Sequence, residues 1–202
     1  MLLNGDTLRQ VSSTKYLGIH IDQHLTWNTH IDYILNRVRG KLYCINRLRP
    51  VSPKILRLLY QAYIMPILDY CDVVWSPCSA LYTRRLERVH TKFVSSLPAS
   101  TFTVFDLKLS LIERRTYHTA VQVFKILHEL TPPYLHGMFR YASAVSGRVG
   151  RNPLRLYVPS IRTNYGRGSL WYRGTIIWNN LSVHVTAAQS LAKFKTLYFD
   201  FM

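Results

Sequence analysis

Acidic residues are scarce in this chain of 202 residues. It contains ten Asp and Glu against 26 Lys and Arg, which gives a formal net charge of +16 and an isoelectric point near 10.1. A charge this one-sided excludes a basic small molecule as the first partner to consider and favours a polyanion. We therefore expect nucleic acid as the partner, with an anionic membrane surface as the less favoured alternative.

The acids are missing from two long stretches of the chain. No Asp or Glu lies between Asp32 and Asp69, and none occurs from Leu130 to Phe199. The first stretch contains the bases Arg37, Arg39, Lys41, Arg47, Arg49, Lys54 and Arg57. The second contains Arg140, Arg148, Arg151, Arg155, Arg162, Arg167, Arg173, Lys193 and Lys195. Regions of one sign are typical of phosphate contact, and a merely solubilising surface is the alternative explanation.

Cysteine and long apolar runs are also rare. Cys44, Cys71 and Cys78 form neither a CxxC zinc half-site nor a disulfide framework, so we expect buried, reduced thiols. The longest uncharged apolar stretch, Leu58–Leu68, is shorter than the ~18 residues of a membrane span, and the first residues do not resemble a signal peptide. We expect an intracellular protein of the nucleus or cytoplasm that is not secreted and has no transmembrane segment.

Patterns of catalytic residues are missing as well. The sequence has no GxSxG, GxGxxG, GxxxxGK[ST] or HExxH motif. Asp69 and Asp72 are the one close pair of acids and are predicted to share a helix face, where surface ion pairing explains them better than a shared cation does. His20, His24 and His30 lack the spacing of a zinc site and are predicted to be structural. We predict no catalytic residue, no metal and no cofactor.

Helical periodicity, in contrast, covers much of the chain. Thr26 is a candidate N-cap for a first helix whose apolar residues recur on one face until Pro50. Ser52 and Pro53 have the preferences of the N-cap and the first helical position, so a second helix begins there. Pro66 falls inside that second helical pattern, and we expect a kink there or a break into two helices.

Two further helices are predicted in the middle of the chain. One spans 79–97, and its predicted inward residues are Leu81, Leu86, Val89 and Phe93. The other follows the sequence Ser110-Leu111-Ile112-Glu113, which has the form of a capping box. Its periodicity continues until Pro132 and Pro133 end it.

Strands are predicted only towards the two ends of the chain. Two short strands are expected around 12–13, where β-branched and apolar residues flank turn formers. Short strands are also predicted over 154–158 and 170–172. Two short helical patterns follow, over 176–181 and 190–198.

Aromatic residues alternate with arginines in the same C-terminal region. The aromatics are Tyr157, Tyr165, Trp171, Tyr172 and Trp178, and the arginines are Arg155, Arg162, Arg167 and Arg173. Aromatic faces beside guanidinium groups can hold single-stranded nucleotides by stacking. The alternative is that Trp178 and Trp171 fill the core of this region.

Several segments match one known family in order and spacing. The first are QVSSTKYLGIHID (10–22), LTWNTHI (25–31), PILDYCDVVW (66–75) and RRLERVHTKF (84–93). The last are TNYG (163–166), SLWYRG (169–174), IWNNL (177–181) and SLAKFK (190–195). Together they resemble the C-terminal part of the reverse transcriptases of non-LTR retrotransposons, the jockey-like long interspersed elements of animals. The resemblance covers nearly the whole chain from residue 2 onward.

The resemblance implies that the chain is a polymerase fragment. In that family the segment matching Tyr16, Leu17 and Gly18 looks like the hairpin that grips the primer end, and the helices after it correspond to the thumb. The family's metal-binding aspartates, including the pair of a YxDD motif, lie upstream in the palm, and this sequence has no such motif. We therefore expect no polymerase activity from this chain alone.

The expected architecture is mainly α, and it has three parts. They are a primer-grip-like β-hairpin over 1–24, a thumb-like helical domain over 25–136 and a basic, aromatic, mixed α/β extension over 137–202.

Charge and resemblance together predict a fragment that binds the RNA or DNA backbone and is not catalytic alone. The residues predicted to bind are Tyr16, Leu17, Gly18, Arg37, Lys41, Arg49, Arg84, Arg88, Arg167, Tyr172, Arg173 and Trp178. One alternative is a subunit that completes an RNA-directed DNA polymerase in trans, with a palm-bearing chain as partner. Another is a helical interaction module without nucleic-acid function. No membrane and no small-molecule substrate are expected.

Overall fold

The computed structural model describes residues 2–3, 6–7, 10–48, 51–98, 109–148, 150 and 152–201. Its strands are β1 (Leu2–Leu3), β2 (Asp6–Thr7), β3 (Ser13–Tyr16) and β4 (Ile19–Asp22), paired antiparallel as β1–β2 and β3–β4. Its helices are α1 (Asn28–Arg47), α2 (Pro53–Tyr63), α3 (Met65–Asp69), α4 (Asp72–Trp75), α5 (Ala80–Val94), α6 (Leu111–Leu127), α7 (Ala142–Ser146), α8 (Asn164–Gly168), α9 (Leu170–Asn179), α10 (Val183–Thr186) and α11 (Leu191–Phe201). The predicted fold class, mainly helical with a short hairpin near the N-terminus, is confirmed.

The chain divides into two compact units. The first unit comprises Met1–Cys71 and Cys78–Lys108, and the second comprises Asp72–Pro77 and Leu109–Met202. This division differs from the boundary predicted at 136/137, because α6 packs against α9 and α11 and therefore belongs to the second unit. The short helix α4 also belongs to the second unit, where it packs against α6.

The β3–β4 hairpin turns at Leu17 and Gly18. Tyr16 pairs with Ile19, so the loop has two residues. Both loop residues have positive φ, 46° for Leu17 and 87° for Gly18, which is typical of the hairpin turn whose twist matches the strands. Glycine adopts this conformation without strain. The prediction that the strands flank 12–13 is therefore wrong, because the turn lies where Gly18 permits it.

A carboxylate at the end of β4 organises the loop that precedes α1. Asp22 accepts hydrogen bonds from the backbone N–H groups of His24, Thr26 and Trp27 at 2.9–3.1 Å and from the Thr26 hydroxyl at 3.1 Å. Burial raises the pKa of Asp22, but these four bonds outweigh it and leave the pKa below its usual value. The N-cap residue itself is Trp27, which has φ 64° and makes no side-chain capping bond. Thr26, the predicted N-cap, instead forms part of the loop that Asp22 organises.

The second helical pattern is broken into two helices, as predicted. Helix α2 ends at Tyr63 and α3 begins at Met65, with Ile64 between them. Pro66 is in the first turn of α3, where a missing N–H costs no intrahelical hydrogen bond. The proline therefore starts a new helix instead of bending one.

Helix α5 packs on α1 and contributes to the core of the first unit. Its buried residues are Leu86, His90 and Phe93. The Tyr60 hydroxyl of α2 hydrogen-bonds His90 Nδ1 at 3.0 Å, and the Tyr60 ring stacks on Phe93 at a centroid distance of 4.1 Å. Leu81, predicted to point inward, is exposed. It precedes Leu86 by five residues, which places it about 140° away around the helix.

The second unit has its own apolar core around α6. The predicted capping box is confirmed: Ser110 Oγ accepts the Glu113 N–H at 3.2 Å, and the Ser110 N–H donates to Glu113 Oε2 at 2.8 Å. The buried core residues are Ala120, Val123, Phe124, Ile126, Phe139, Leu156, Trp178, Leu181, Val185, Ala188, Phe194, Leu197 and Tyr198. They come from α6, α9, α10, α11 and the connecting segments.

Strand content in the C-terminal region is lower than predicted. Residues 170–172 form the first turn of α9, so the strand prediction there is wrong. The reason is local, because Ser169 caps the helix by accepting the Tyr172 N–H at 3.3 Å. Over 154–158 the described residues form one isolated bridge, between Tyr141 and Leu156. The helical patterns predicted further on coincide with the end of α9 and with α11.

Within the described ranges, none of the helices combines the length and the apolar composition that crossing a bilayer requires.

Candidate nucleic-acid interface

The hairpin tip brings three of the predicted residues together as one exposed turn. Tyr16 and Leu17 are both exposed, and Gly18 follows them. The Tyr70 hydroxyl, from the residue after α3, donates to the Leu17 carbonyl at 2.8 Å. A Cβ on Gly18 would lie 3.4 Å from the Tyr70 ring, so the turn and the ring are in close contact. The charge of the neighbouring Cys71 raises the pKa of Tyr70 above its usual value. The tip is therefore exposed and also fixed in position.

The ring of Tyr33, on α1, is in contact with two cations. Lys15 Nζ of β3 lies 5.1 Å from the centroid of the Tyr33 ring, and Arg37 Cζ of α1 lies 5.5 Å from the same centroid. Both cations are exposed, so they keep their charge available to solvent. Arg37 was predicted from the sequence, but Lys15 was not. The sequence of β3 does not show that Lys15 lies over the ring of a residue on α1.

Arg37 and Lys41 are one helical turn apart on α1. Lys41 Nζ lies 5.1 Å from the ring centroid of Tyr63 on α2, so it leans towards the neighbouring helix. The two predicted residues therefore belong to one helix face but have different aromatic partners. Arg49, the third residue predicted on this segment, lies outside the described residues.

Helix α5 presents a row of cations at four-residue spacing. Arg84, Arg88 and Lys92 are all exposed along one face of the helix. Arg85, their neighbour, is engaged differently: its guanidinium pairs with Asp32 of α1 at 2.8 Å. Tyr82 also donates to that carboxylate, at 3.0 Å. The sequence predicted the two arginines of the row, and its third member follows from the same spacing.

The residues predicted to bind in the second unit lie partly at its surface and partly in its interior. Arg167, in α8, is exposed, and Tyr172 is half-buried. Trp178 is only 1% exposed, and its indole N–H donates to the Leu154 carbonyl at 3.0 Å while its ring stacks on Phe194. Trp178 is therefore a core residue with no free face, and the core alternative is the one that holds for it.

Arg173 is likewise an interior link and not a surface contact. Its Nε donates to the Gly168 carbonyl at 2.9 Å, and its Nη2 donates to the Val73 carbonyl at 2.7 Å. Its Nη1 donates to the Ser76 hydroxyl. These bonds satisfy carbonyls at the ends of two short helices, α8 and α4, which is where a cation is favourable. The prediction that Arg173 contacts phosphate is corrected, because its donors are already engaged within the second unit.

Asp72, one of the two acids considered as cation ligands, begins the short helix α4. Asp72 is 3% exposed, and its Oδ2 lies 2.6 Å from Nδ1 of His118 on α6. Beside it, Arg115 Cζ stacks over the Trp75 ring at 4.5 Å. Asp72 is therefore a buried, paired residue. The expectation that it shares a helix face with Asp69 is wrong, since α3 ends at Asp69 and α4 begins at Asp72.

Two exposed aromatic side chains of the second unit belong to residues that were not among the predicted binding residues. Trp171 is 43% exposed and Tyr165 is 61% exposed. Both belong to the alternating aromatic and arginine segment, and the i to i+7 spacing of Trp171 and Trp178 on one short helix could not show which of them faces the core. Tyr165 and Trp171 therefore have the exposed rings that stacking requires.

The cysteines differ from expectation too. Cys44 and Cys71 are exposed and Cys78 is half-buried, so the prediction of buried thiols is wrong for the first two.

Comparison with known proteins returned no matching family model, no matching curated protein and no matching solved structure.

Proposed function

We propose that this chain binds the phosphate backbone of nucleic acid through its first unit, as a primer-template-binding fragment of a reverse transcriptase that does not polymerise alone. The observation that carries the proposal is the set of exposed cations on the hairpin, on α1 and on the α5 row. They are Lys15, Arg37, Lys41, Arg84, Arg88 and Lys92. Lys41 is half-buried, and the other five are exposed.

The charge of the first unit supports this proposal. The unit has fourteen Lys and Arg against six Asp and Glu, so its net charge is +8. One of the six acids, Asp32, is already paired with Arg85. Exposed cations at helical spacing can face successive phosphates of one strand, and such contacts position a nucleic acid without reading its sequence. The proposed binding is therefore strongly dependent on salt and indifferent to base sequence.

The salt dependence of binding tests the proposal. With duplex DNA, the logarithm of the association constant falls linearly with the logarithm of salt concentration, with a slope of about −0.9 per phosphate contacted. Replacing Arg37 and Lys41 by Gln is expected to flatten that slope by about 1.8, with unchanged sequence preference. Replacing Arg84 and Arg88 by Gln is expected to have an effect of the same size.

The matched control removes the same charge elsewhere. Lys193 and Lys195 are exposed on α11 of the second unit, and their double Gln variant has the same net charge as the α1 variant. It is expected to leave the slope unchanged. An equal slope for wild type and the Arg37/Lys41 variant, in protein whose circular dichroism shows it folded, would contradict the proposal.

A polymerase assay tests the second part of the proposal. Two-metal nucleotide transfer requires clustered carboxylates. Purified chain with primer-template and Mg²⁺ or Mn²⁺ is therefore expected to incorporate no labelled nucleotide. Incorporation that Asp69→Asn abolishes would show the chain to be a polymerase in its own right.

A further inference from the structure

An apolar groove of about 330 Å³ lies between α1 and α2 in the first unit. Its α1 wall includes Cys44, Ile45 and Leu48, and its α2 wall includes Leu59 and Tyr63. Two apolar residues of the groove are open to solvent: Leu48 is 45% exposed and Tyr63 is 54% exposed. The N-terminal half of α1 buries residues up to Val38, whereas beyond it Ile45 is the one buried residue of the helix. The second half of α1 therefore has an apolar face that α2 covers only in part.

The spacing of the lining residues suits another helix. On α1 they follow Lys41 at three, four and seven residues, and on α2 they are four residues apart. This is the i, i+3, i+4, i+7 pattern by which an amphipathic helix and a helical groove recognise each other. Two neighbouring helices with an apolar channel between them provide a surface into which a third helix can pack.

A glycine on the groove gives a second, independent indication. Gly40 lies inside the twenty-residue helix α1, where glycine is less favourable than alanine. A Cβ at Gly40 would meet nothing within 4 Å among the described residues, so packing against that part of the chain does not require a glycine there. Gly174 shows the contrast, because a Cβ on it would lie 2.8 Å from the Val123 side chain. Open space above a mid-helix glycine is what the close approach of another backbone would use.

The charges around the groove select the occupant. No acid occurs between Asp32 and Asp69, so the α1 and α2 faces that flank the groove carry bases alone. A second copy of this chain, itself at +16, would be repelled. A phosphate backbone has no apolar surface with which to fill the groove. An acidic partner with an apolar helical stripe satisfies both the groove and its rim.

We propose that this groove binds an acidic amphipathic helix of a partner protein, with its apolar stripe between α1 and α2 and its backbone against Gly40. Lys41, whose Nζ reaches over the Tyr63 ring at the rim, pairs with an acid of that helix. The interaction does not use the α5 row, but it shares Lys41 with the proposed nucleic-acid surface on α1.

Protection of Cys44 provides the readout. The probe is a helical peptide of about five turns with Leu on one stripe and Glu elsewhere, beside a twin in which Lys replaces every Glu. The protein variant Cys71→Ser/Cys78→Ser leaves Cys44 as its one thiol. The Glu peptide is expected to slow maleimide modification of Cys44 about tenfold at saturation, and the Lys peptide to leave the rate unchanged. The variant Cys44→Ser/Cys78→Ser, which keeps the exposed Cys71, is expected to show no protection.

A second variant separates docking from folding. Gly40→Leu replaces a poor helix former by a good one in open space, so its melting temperature is expected to stay the same or rise. Its affinity for the Glu peptide is expected to fall about tenfold or more, and Gly40→Ala is expected to fall between it and wild type.

Three outcomes would overturn the proposal. They are equal protection by the two peptides, no protection by either, and unchanged peptide affinity in a folded Gly40→Leu variant. Protection that grows with protein concentration in the absence of peptide would assign the groove to a second copy of the chain instead.

Discussion

The two units have the same net charge and use their arginines differently. Fourteen bases against six acids in the first unit and twelve against four in the second give +8 for each. In the first unit, Arg37, Arg84 and Arg88 are exposed on helix faces. In the second, Arg115 is 5% exposed over a Trp ring, and Arg173 donates to three groups of its own unit. Net charge therefore measures attraction for a polyanion only after the structurally engaged bases are subtracted.

The difference arises from how the second unit is assembled. Its segment 72–77 is remote in sequence from the rest of the unit, and three contacts hold it there. The contacts are the Asp72–His118 pair, the stacking of Arg115 on Trp75 and the Arg173 hydrogen bonds. A one-turn helix leaves most of its carbonyls without intrahelical partners, and a guanidinium can satisfy several of them at once. In the second unit arginine is therefore a structural residue.

The largest expected effect distinguishes two tryptophans of α9. Trp178→Ala is expected to lower the free energy of unfolding by about 3–5 kcal/mol, because it removes a buried ring and leaves the Leu154 carbonyl without its donor. Trp171→Ala, in the first turn of the same helix where the ring is 43% exposed, is expected to cost under about 1 kcal/mol. Urea unfolding followed by circular dichroism measures both. Equal losses would remove the assignment of Trp178 to the core.

The next effect contrasts an arginine of each unit. Arg173→Gln is expected to lower the free energy of unfolding by about 2–4 kcal/mol, because a Gln cannot replace three charge-assisted bonds. It is expected to leave the salt slope of nucleic-acid binding unchanged. Arg37→Gln should do the opposite, with a slope flatter by about 0.9 and stability within about 0.5 kcal/mol of wild type. Thermal melts and salt titrations of the two proteins would refute the comparison if either variant changed both quantities.

Acid sensitivity of the first unit comes third. Burial, and then the charge of His20, lower the pKa of His30 from 6.5 to about 4. The His20 N–H donates to Nδ1 of His30 at 3.3 Å, a bond that requires an unprotonated nitrogen. Above about pH 6.5, His30 is neutral in both the folded and the unfolded protein. As the pH falls towards about 4, His30 is protonated in the unfolded protein before it is protonated in the folded one. Stability should therefore fall by about 2–3 kcal/mol across that window.

The variant His30→Asn isolates this contribution. Asparagine keeps a side-chain acceptor but has no proton to gain in this range. The free energy of unfolding of the variant should depend less steeply on pH between 6.5 and 4 than that of wild type. If the free energy of unfolding depended on pH equally steeply in the variant and in wild type, His30 would not be responsible for the acid sensitivity.

The smallest expected effect concerns the loop before α1. Asp22→Ala removes four hydrogen bonds from that loop and is expected to cost about 1–2 kcal/mol. Asp22→Asn retains one acceptor oxygen and should cost less. Because the folded pKa of Asp22 lies below 3.8, its contribution is complete above that pH and is lost on further acidification. Urea midpoints at neutral pH rank the three proteins. An unchanged midpoint for Asp22→Ala would show that the Asp22 hydrogen bonds do not stabilise the fold.

Local signals made part of this fold predictable. The capping box at Ser110 and the break at Pro66 depend on residues within one turn of each other, and both predictions are confirmed. The role of Asp22 in the loop before α1 was missed because this carboxylate lies five residues upstream of Trp27, in a strand. Periodicity showed that α9 was helical only in part, since the strand predicted over 170–172 competed with the Ser169 cap.

For the residues proposed to bind nucleic acid, the sequence indicated the residue type but not whether each side chain is exposed. Helical spacing was enough to place Arg84 and Arg88 on one exposed face. It could not show that Arg173 is engaged by Val73 and Ser76, because those partners are 100 and 97 residues away. Long-range pairing of this kind depends on the tertiary fold, and neither charge nor alternation with aromatics encodes it.

The position of segment 72–77 has a consequence for the order of biosynthesis. Its arginine partner follows Val73 by 100 residues, which a ribosome working at about 5–20 residues per second takes about 5–20 s to add. The helices α1, α2, α3 and α5 of the first unit have by then all been synthesised. During that interval segment 72–77 can meet its partners on α6, but it lacks the Arg173 bonds. A nascent chain halted just before Arg173 is therefore expected to show a native first unit and an unfinished second one.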